Sequence, residues 1–208
     1  MAHRIWLHGL GQGPESWQQT LDRLLQGEEH CPALFSLTES PVTYNSIYAG
    51  LCRYCDKLEG PLHLCGLSLG SVLGLHYAAE HPLRVASLAL ISPQYRMPRR
   101  LLALQDLLFR LMPERSFREL GLPKAELLRL TGSMRRLDLT PLLPAVRCPA
   151  LILCGEQDRT GLRAAEELAG LLPRAAFRKL AEAGHEANTQ APETLAKALS
   201  SFYAPFFG

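Results

Sequence analysis

The 208-residue sequence predicts an α/β fold: a mostly parallel sheet of about six strands with helices on both faces and a small helical insertion. Three observations carry this expectation. Short apolar runs alternate with longer segments whose apolar residues recur at helical spacing. No internal repeat or low-complexity linker interrupts the series. One stretch alone, 94–141, departs from the alternation and carries no strand-like run.

Taken in order, "HRIWLHG" (3–9) reads as a short buried strand. Residues 14–27 read as a helix, with Trp17, Leu21, Leu24 and Leu25 on one face and Gly27 at its end. "PALFSL" (32–37) is the expected second strand, and 44–58 the second helix. "PLHLCGL" (61–67) is the third strand, followed by a helix over 69–81 that Pro82 stops. "VASLALIS" (85–92) and "PALILCG" (149–155) are the fourth and fifth strands. A helix over 160–172, a sixth strand "AAFRKL" (175–180) and a closing helix at about 191–203 complete the pattern. The expected organisation is a core of residues 1–93 and 142–208 with a helical lid, 94–141, inserted in it.

Composition narrows the function classes. A net charge of +2 gives no global attraction to nucleic acid. No apolar run approaches the roughly 20 residues a membrane span requires. The N-terminus enters a strand-like segment with no leader pattern, so a cytoplasmic protein is expected. Cys52 and Cys55 form C-x-x-C inside a helix-like stretch, with no second pair at zinc-finger spacing. The six cysteines read as buried thiols in a reducing compartment, and no metal or organic cofactor is expected. The insertion carries ten Lys/Arg against five Asp/Glu, a net of +5. A basic lid attracts anionic substrates; the plainer reading is a solvated arginine-rich helix face.

The chemistry centres on "CGLSLGS", 65–71. Ser68 has a glycine two residues to either side, an apolar strand before it and a helix rich in small residues after it. A sharp strand–turn–helix strains the serine backbone and leaves no room for side chains at the flanking glycines. A serine hydroxyl needs a general base, and that base needs an acid to fix its tautomer. Asp158 lies just beyond the fifth strand in "ILCGEQD", and His185 just beyond the sixth in "LAEAGHEAN". All three then fall past the carboxyl ends of parallel strands, where open sheets build sites. The Leu69 N–H, at the start of a helix, and the Leu10 N–H, in the glycine-rich "HGLGQG", are the candidate donors to a developing oxyanion. Gln12 is a candidate contact to a bound acyl oxygen. Tyr95, Phe109 and Met112 are candidate substrate neighbours from the insertion, whose apolar residues equally serve to pack it down. His8 is expected to hold the loop it precedes. His63, His76 and His81 are expected to pack or lie at the surface. Asp138 is a second, weaker choice for the acid.

Four segments, "LHGLGQGPESW", "CGLSLGS", "PALILCGEQD" and "AGHEAN", resemble the α/β-hydrolase superfamily in sequence and in order, close to its small single-domain esterase-like members. The resemblance covers nearly the whole chain. It implies a Ser68–Asp158–His185 triad, an oxyanion hole from Leu10 and Leu69, and a lid where 94–141 stands. It also implies a core that lacks the family's first two strands. A sheet shortened in this way exposes an edge that a second copy of the chain would cover in a homodimer. The expected activity is hydrolysis of carboxylic esters or thioesters through an acyl-enzyme. Amide or carbon–carbon bond cleavage on the same triad is the alternative within the fold. Outside catalysis, the alternative is a ligand sensor that turns over slowly or not at all.

Overall fold

A computed structural model describes residues 2–24, 27–97 and 122–207. Phe109 and Met112 lie outside the described residues. Six parallel strands form one sheet: β1 (His3–Leu7), β2 (Glu28–His30), β3 (Leu62–Leu67), β4 (Val85–Ile91), β5 (Ala150–Gly155) and β6 (Ala175–Leu180), in the spatial order β2-β1-β3-β4-β5-β6. The six-stranded parallel sheet expected from the sequence is present.

Strand alternation sorts side chains to two cores. Ile5, Leu7, Leu62, Leu64, Leu88, Leu90 and Ile152 face one side, against α2 (Tyr44–Cys55), α3 (Leu69–Glu80) and the helix Gly161–Leu171. Trp6, Cys65, Leu67, Ala89, Ile91, Leu151 and Leu153 face the other, against Trp17 and the helix Pro192–Phe207. These apolar strands are buried on both faces, which is why they read as nearly continuous hydrophobic runs.

Two expectations for the first third of the chain need correction. The second strand is Glu28–His30, and "PALFSL" instead forms a 3₁₀ turn over Leu34–Leu37. Pro32 has no N–H to give a ladder, and the Leu34 N–H donates to His8 Nε2 at 3.1 Å. Leu34 is fully buried, so the apolar run reaches the core without joining the sheet. The first helix is also shorter than expected: a 3₁₀ turn, Pro14–Trp17, leads into α1, Gln18–Leu21.

The described part of the insertion includes α4 (Lys124–Met134), and the helix Gly161–Leu171 is α5. The neck is closed by an antiparallel bridge between Arg96 and Asp138. The Met97 N–H donates to the Leu137 carbonyl at 3.0 Å and the Leu139 N–H to the Tyr95 carbonyl at 2.9 Å. Helix α4 is seated on the core: Leu130 and Met134 join the α2-side cluster. The Glu126 carboxylate accepts from Ser40 Oγ at 3.0 Å and from the Val42 N–H at 2.6 Å. Among the described residues, no helix is long and apolar enough to cross a membrane.

Candidate active site

Ser68 sits between β3 and α3 at φ 52°, ψ −109°, a conformation that L-residues seldom adopt. The local sequence makes it attainable. A Cβ on Gly66 would collide with the Gly70 carbonyl, and one on Gly70 would collide with the Leu7 carbonyl. The start of α3 therefore lies directly against β3 and β1. The Ser68 N–H donates to the Ile91 carbonyl at 2.9 Å. Buried Ser71 accepts from the Ile91 N–H at 3.1 Å, and its oxygen is 2.6 Å from the Gly66 carbonyl oxygen.

His185 lies between Ser68 and Asp158. Its Nε2 is 3.0 Å from Ser68 Oγ, and its Nδ1 is 2.8 Å from Asp158 Oδ2. With the proton on Nδ1, that nitrogen donates to the carboxylate and Nε2 accepts from the serine hydroxyl. Asp158 is almost fully buried, whereas His185 is exposed. Asp158 Oδ1 accepts from the Gly161 N–H at 2.9 Å and from Thr160 Oγ1 at 3.0 Å. Burial alone would raise the Asp158 pKa. The hydrogen bonds from His185 and Gly161 and the nearby imidazole charge outweigh burial and hold the carboxyl well below the usual carboxylate range. The Asp158 hydrogen bond in turn raises the His185 pKa above its ordinary 6.5, with burial opposing and the Asp158 and Glu186 charges adding.

The loop after β1 passes over this line. A Cβ on Gly9 would stand 3.6 Å from Ser68 Cβ. The Gln12 N–H closes a turn on the Gly9 carbonyl at 3.3 Å, with Gly11 at φ 81°. His8 is buried, and both of its ring nitrogens face the backbone: Nδ1 donates to the Gly9 carbonyl at 2.9 Å and Nε2 accepts from Leu34. Burial lowers its pKa. Leu69 opens α3, where the first-turn N–H groups have no partner within the helix.

Other residues singled out in the sequence lie differently. Gln12 exchanges amide hydrogen bonds with Asn188, 3.2 Å in each direction, and also accepts from the Gly9 N–H. The Tyr95 hydroxyl donates to Glu167 Oε2 at 3.3 Å. Tyr95 lines a cavity of about 450 Å³ at the neck of the insertion, whose walls include neither Ser68 nor His185. Asp138 Oδ1 accepts from the Thr140 N–H at 2.9 Å, a local turn contact.

Two positioning residues were not singled out from the sequence. Asn188, fully buried in α6 (Ala187–Gln190), joins the His185 loop to the β1 loop through Gln12 and the Ser16 carbonyl. Ser92, at φ 49°, donates to the His185 carbonyl at 3.2 Å. Asn188 stands in the "AGHEAN" segment, the one signal available for it. Ser92 shows nothing but its place at the end of an apolar run.

Residues 5–198 match the model of the alpha/beta hydrolase family, and the chain belongs to that family. Over 98% of its length it superposes on the enol-lactonase from Burkholderia xenovorans LB400, covering 91% of that chain with a TM-score of 0.80 at 18% identity. It covers 99% of itself and 90% of a thermophilic esterase from Thermogutta terrifontis, with a TM-score of 0.72 at 22% identity. Identities this low show a common fold. A curated relative, the pimeloyl-[acyl-carrier protein] methyl ester esterase of Aromatoleum aromaticum, is 33% identical over 88 residues. That stretch is 42% of this chain and 35% of the relative, so the chain spans about a third of the relative's length.

Proposed function

We propose that the chain is a serine hydrolase of carboxylic esters or thioesters that works through an acyl-enzyme. The observation that carries this reading is the line Ser68 Oγ–His185–Asp158, at 3.0 and 2.8 Å, on a positive-φ elbow. Ser68 Oγ attacks the acyl carbon while His185 Nε2 takes its proton. The oxyanion is held by the N–H groups of Leu69 and Leu10. His185 returns the proton to the leaving alcohol or thiol, and the acyl group stays on Ser68. Water then attacks the acyl-enzyme with His185 again as base, releasing the acid and restoring the serine. Asp158 keeps the proton on Nδ1 and stabilises the imidazolium in both halves.

Gln12 serves here as a positioning residue rather than an acyl contact, because its amide is committed to Asn188 and Gly9. Residues 94–141 are assigned as the lid, and their described part is tied at a neck and seated by α4. The small core and short insertion suit an acyl group of short to medium length. The Aromatoleum relative is named for a methyl ester, a bond within the proposed class. Six unpaired thiols suit a reducing compartment, which supports a cytoplasmic setting.

The test is fluorophosphonate labelling of the wild type and of Ser68→Ala, alongside p-nitrophenyl esters of increasing acyl length. Labelling and ester release that both vanish in the variant are expected. A well-folded wild type that neither labels nor releases p-nitrophenol overturns the hydrolase reading in favour of a sensor.

A further inference from the structure

The amino ends of β1 and β2 gather three electron-pair donors that the hydrolytic chemistry leaves unused. In the parallel register His3 pairs with Glu28 and Ile5 with His30. Side chains two apart in a strand share a face, so His3, Glu28 and His30 project together. Each offers a ligand atom, and the three atoms converge within 4.8 Å of one another. His3 Nδ1 is 3.0 Å from His30 Nε2 and 3.4 Å from Glu28 Oε1; His30 Nε2 is 3.8 Å from that same oxygen.

The outer contacts orient both rings. His3 Nε2 stands 2.9 Å from the Glu59 carbonyl oxygen, which can only accept. The His3 proton is therefore on Nε2, and the Nδ1 lone pair points into the cluster. His30 Nδ1 is 3.2 Å from the Tyr54 hydroxyl, which can accept its proton and turn the Nε2 lone pair inward. A backbone carbonyl or hydroxyl behind each imidazole is the arrangement that fixes metal-ligating histidines. The carboxylate spacings of 3.4 and 3.8 Å exceed those of ordinary hydrogen bonds. They do suit ligands sharing one ion. The three separations place all three atoms about 2 Å from a common point, the length of Zn–N and Zn–O bonds.

We propose that His3, His30 and Glu28 form a binding site for a zinc-class divalent cation, with water completing the coordination. His3 and His30 are largely buried, and the half-exposed Glu28 side chain leaves an entry path. The site lies at the end of the sheet opposite Ser68, so the ion takes no part in ester hydrolysis. Its effect is mechanical. Strand β2 has three paired residues and one neighbour, and the ion ties it to β1.

The test uses the full chain stripped with EDTA, then titrated with zinc sulfate against a chromophoric chelator. Cobalt(II) is the spectroscopic probe and thermal unfolding the stability readout. The wild type is expected to take one zinc per chain at micromolar affinity or tighter, to show tetrahedral cobalt absorption and to melt later with zinc. Glu28→Gln, which changes a half-exposed side chain, is expected to weaken binding about 10–100-fold. His30→Gln is expected to abolish both the cobalt band and the thermal shift. Ester turnover by Glu28→Gln remains that of the wild type. A wild type that holds no zinc, or variants that bind as the wild type does, overturn the proposal.

Discussion

At the scale of single residues, Asp158 governs the rest of the candidate site. Four donors surround its carboxylate: His185 and Cys154 on Oδ2, and Thr160 and the Gly161 N–H on Oδ1. Burial opposes ionisation, but the hydrogen bonds from His185 and Gly161 outweigh it, and the Asp158 hydrogen bond and charge raise the His185 pKa above 6.5. In the proposed mechanism only a neutral imidazole takes the Ser68 proton, so activity is expected to fall as pH drops through the raised value. The kcat/KM profile for a p-nitrophenyl ester is therefore expected to rise with pH to a midpoint above 6.5 and then level. Asp158→Asn removes the charge that favours the imidazolium and the acceptor that sets its tautomer. It is expected to lower kcat by about 10⁴-fold and to move the ascending limb to lower pH. A limb that stays in place in the variant would show that another group titrates there.

At the scale of elements, the elbow and the two loops facing it are positioned by contacts that sequence exposes unequally. Gly70 and Gly74 lie one helical turn apart in α3. A Cβ on Gly70 collides with the Leu7 carbonyl, whereas one on Gly74 meets Leu7, Leu88 and Leu64 at 3.6 to 3.9 Å, ordinary contact. Gly70→Ala is expected to destabilise by about 1–3 kcal/mol or more and to cut turnover by shifting the Leu69 N–H. Gly74→Ala is expected to stabilise by about 0.5–1 kcal/mol, because alanine is the better helix former. Urea denaturation separates the two. Asn188→Ala leaves Gln12 Nε2 without its acceptor, an expected cost of about 1–3 kcal/mol with a fall in kcat. The elbow glycines and the Ser68, Asp158 and His185 positions were legible because each falls at a strand end in a local pattern. Asn188 and Ser92 were not, because their partners Gln12 and the His185 carbonyl are remote in sequence and meet only in the folded chain. Strand β2 was hidden for a different reason. An edge strand with one neighbour needs no apolar side chains, so Glu28-Glu29-His30 carries no hydrophobic signal, while the apolar run after it packs as a 3₁₀ turn.

At the scale of the whole molecule, the two cores that flank the sheet also set the reactivity of the six thiols. Cys55, Cys65, Cys148 and Cys154 are buried, and Cys31 and Cys52 are partly so. Burial pushes the thiol pKa up to about 11 in Cys31 and Cys148 and to about 12 in Cys55 and Cys154. Cys65, on the central strand β3, is raised well above its ordinary value, and Cys52 is raised as well. The thiolate is the nucleophile, so none of the six is poised to react near neutral pH. An aromatic disulfide reagent at pH 7.5 is expected to find less than one reactive thiol per folded chain and six in guanidinium chloride. The order of slow reaction reports how the sheet opens, because local openings precede global unfolding. Cys31 directly follows the edge strand β2, so fraying of that edge is expected to release it first. Cys65 can be reached only when β1, β3 and the closing helix separate, so its rate is expected to track global unfolding measured by circular dichroism. Mass spectrometry after partial labelling identifies the sites. Simultaneous reaction of Cys31 and Cys65 would mean that the edge strand opens only with the whole sheet.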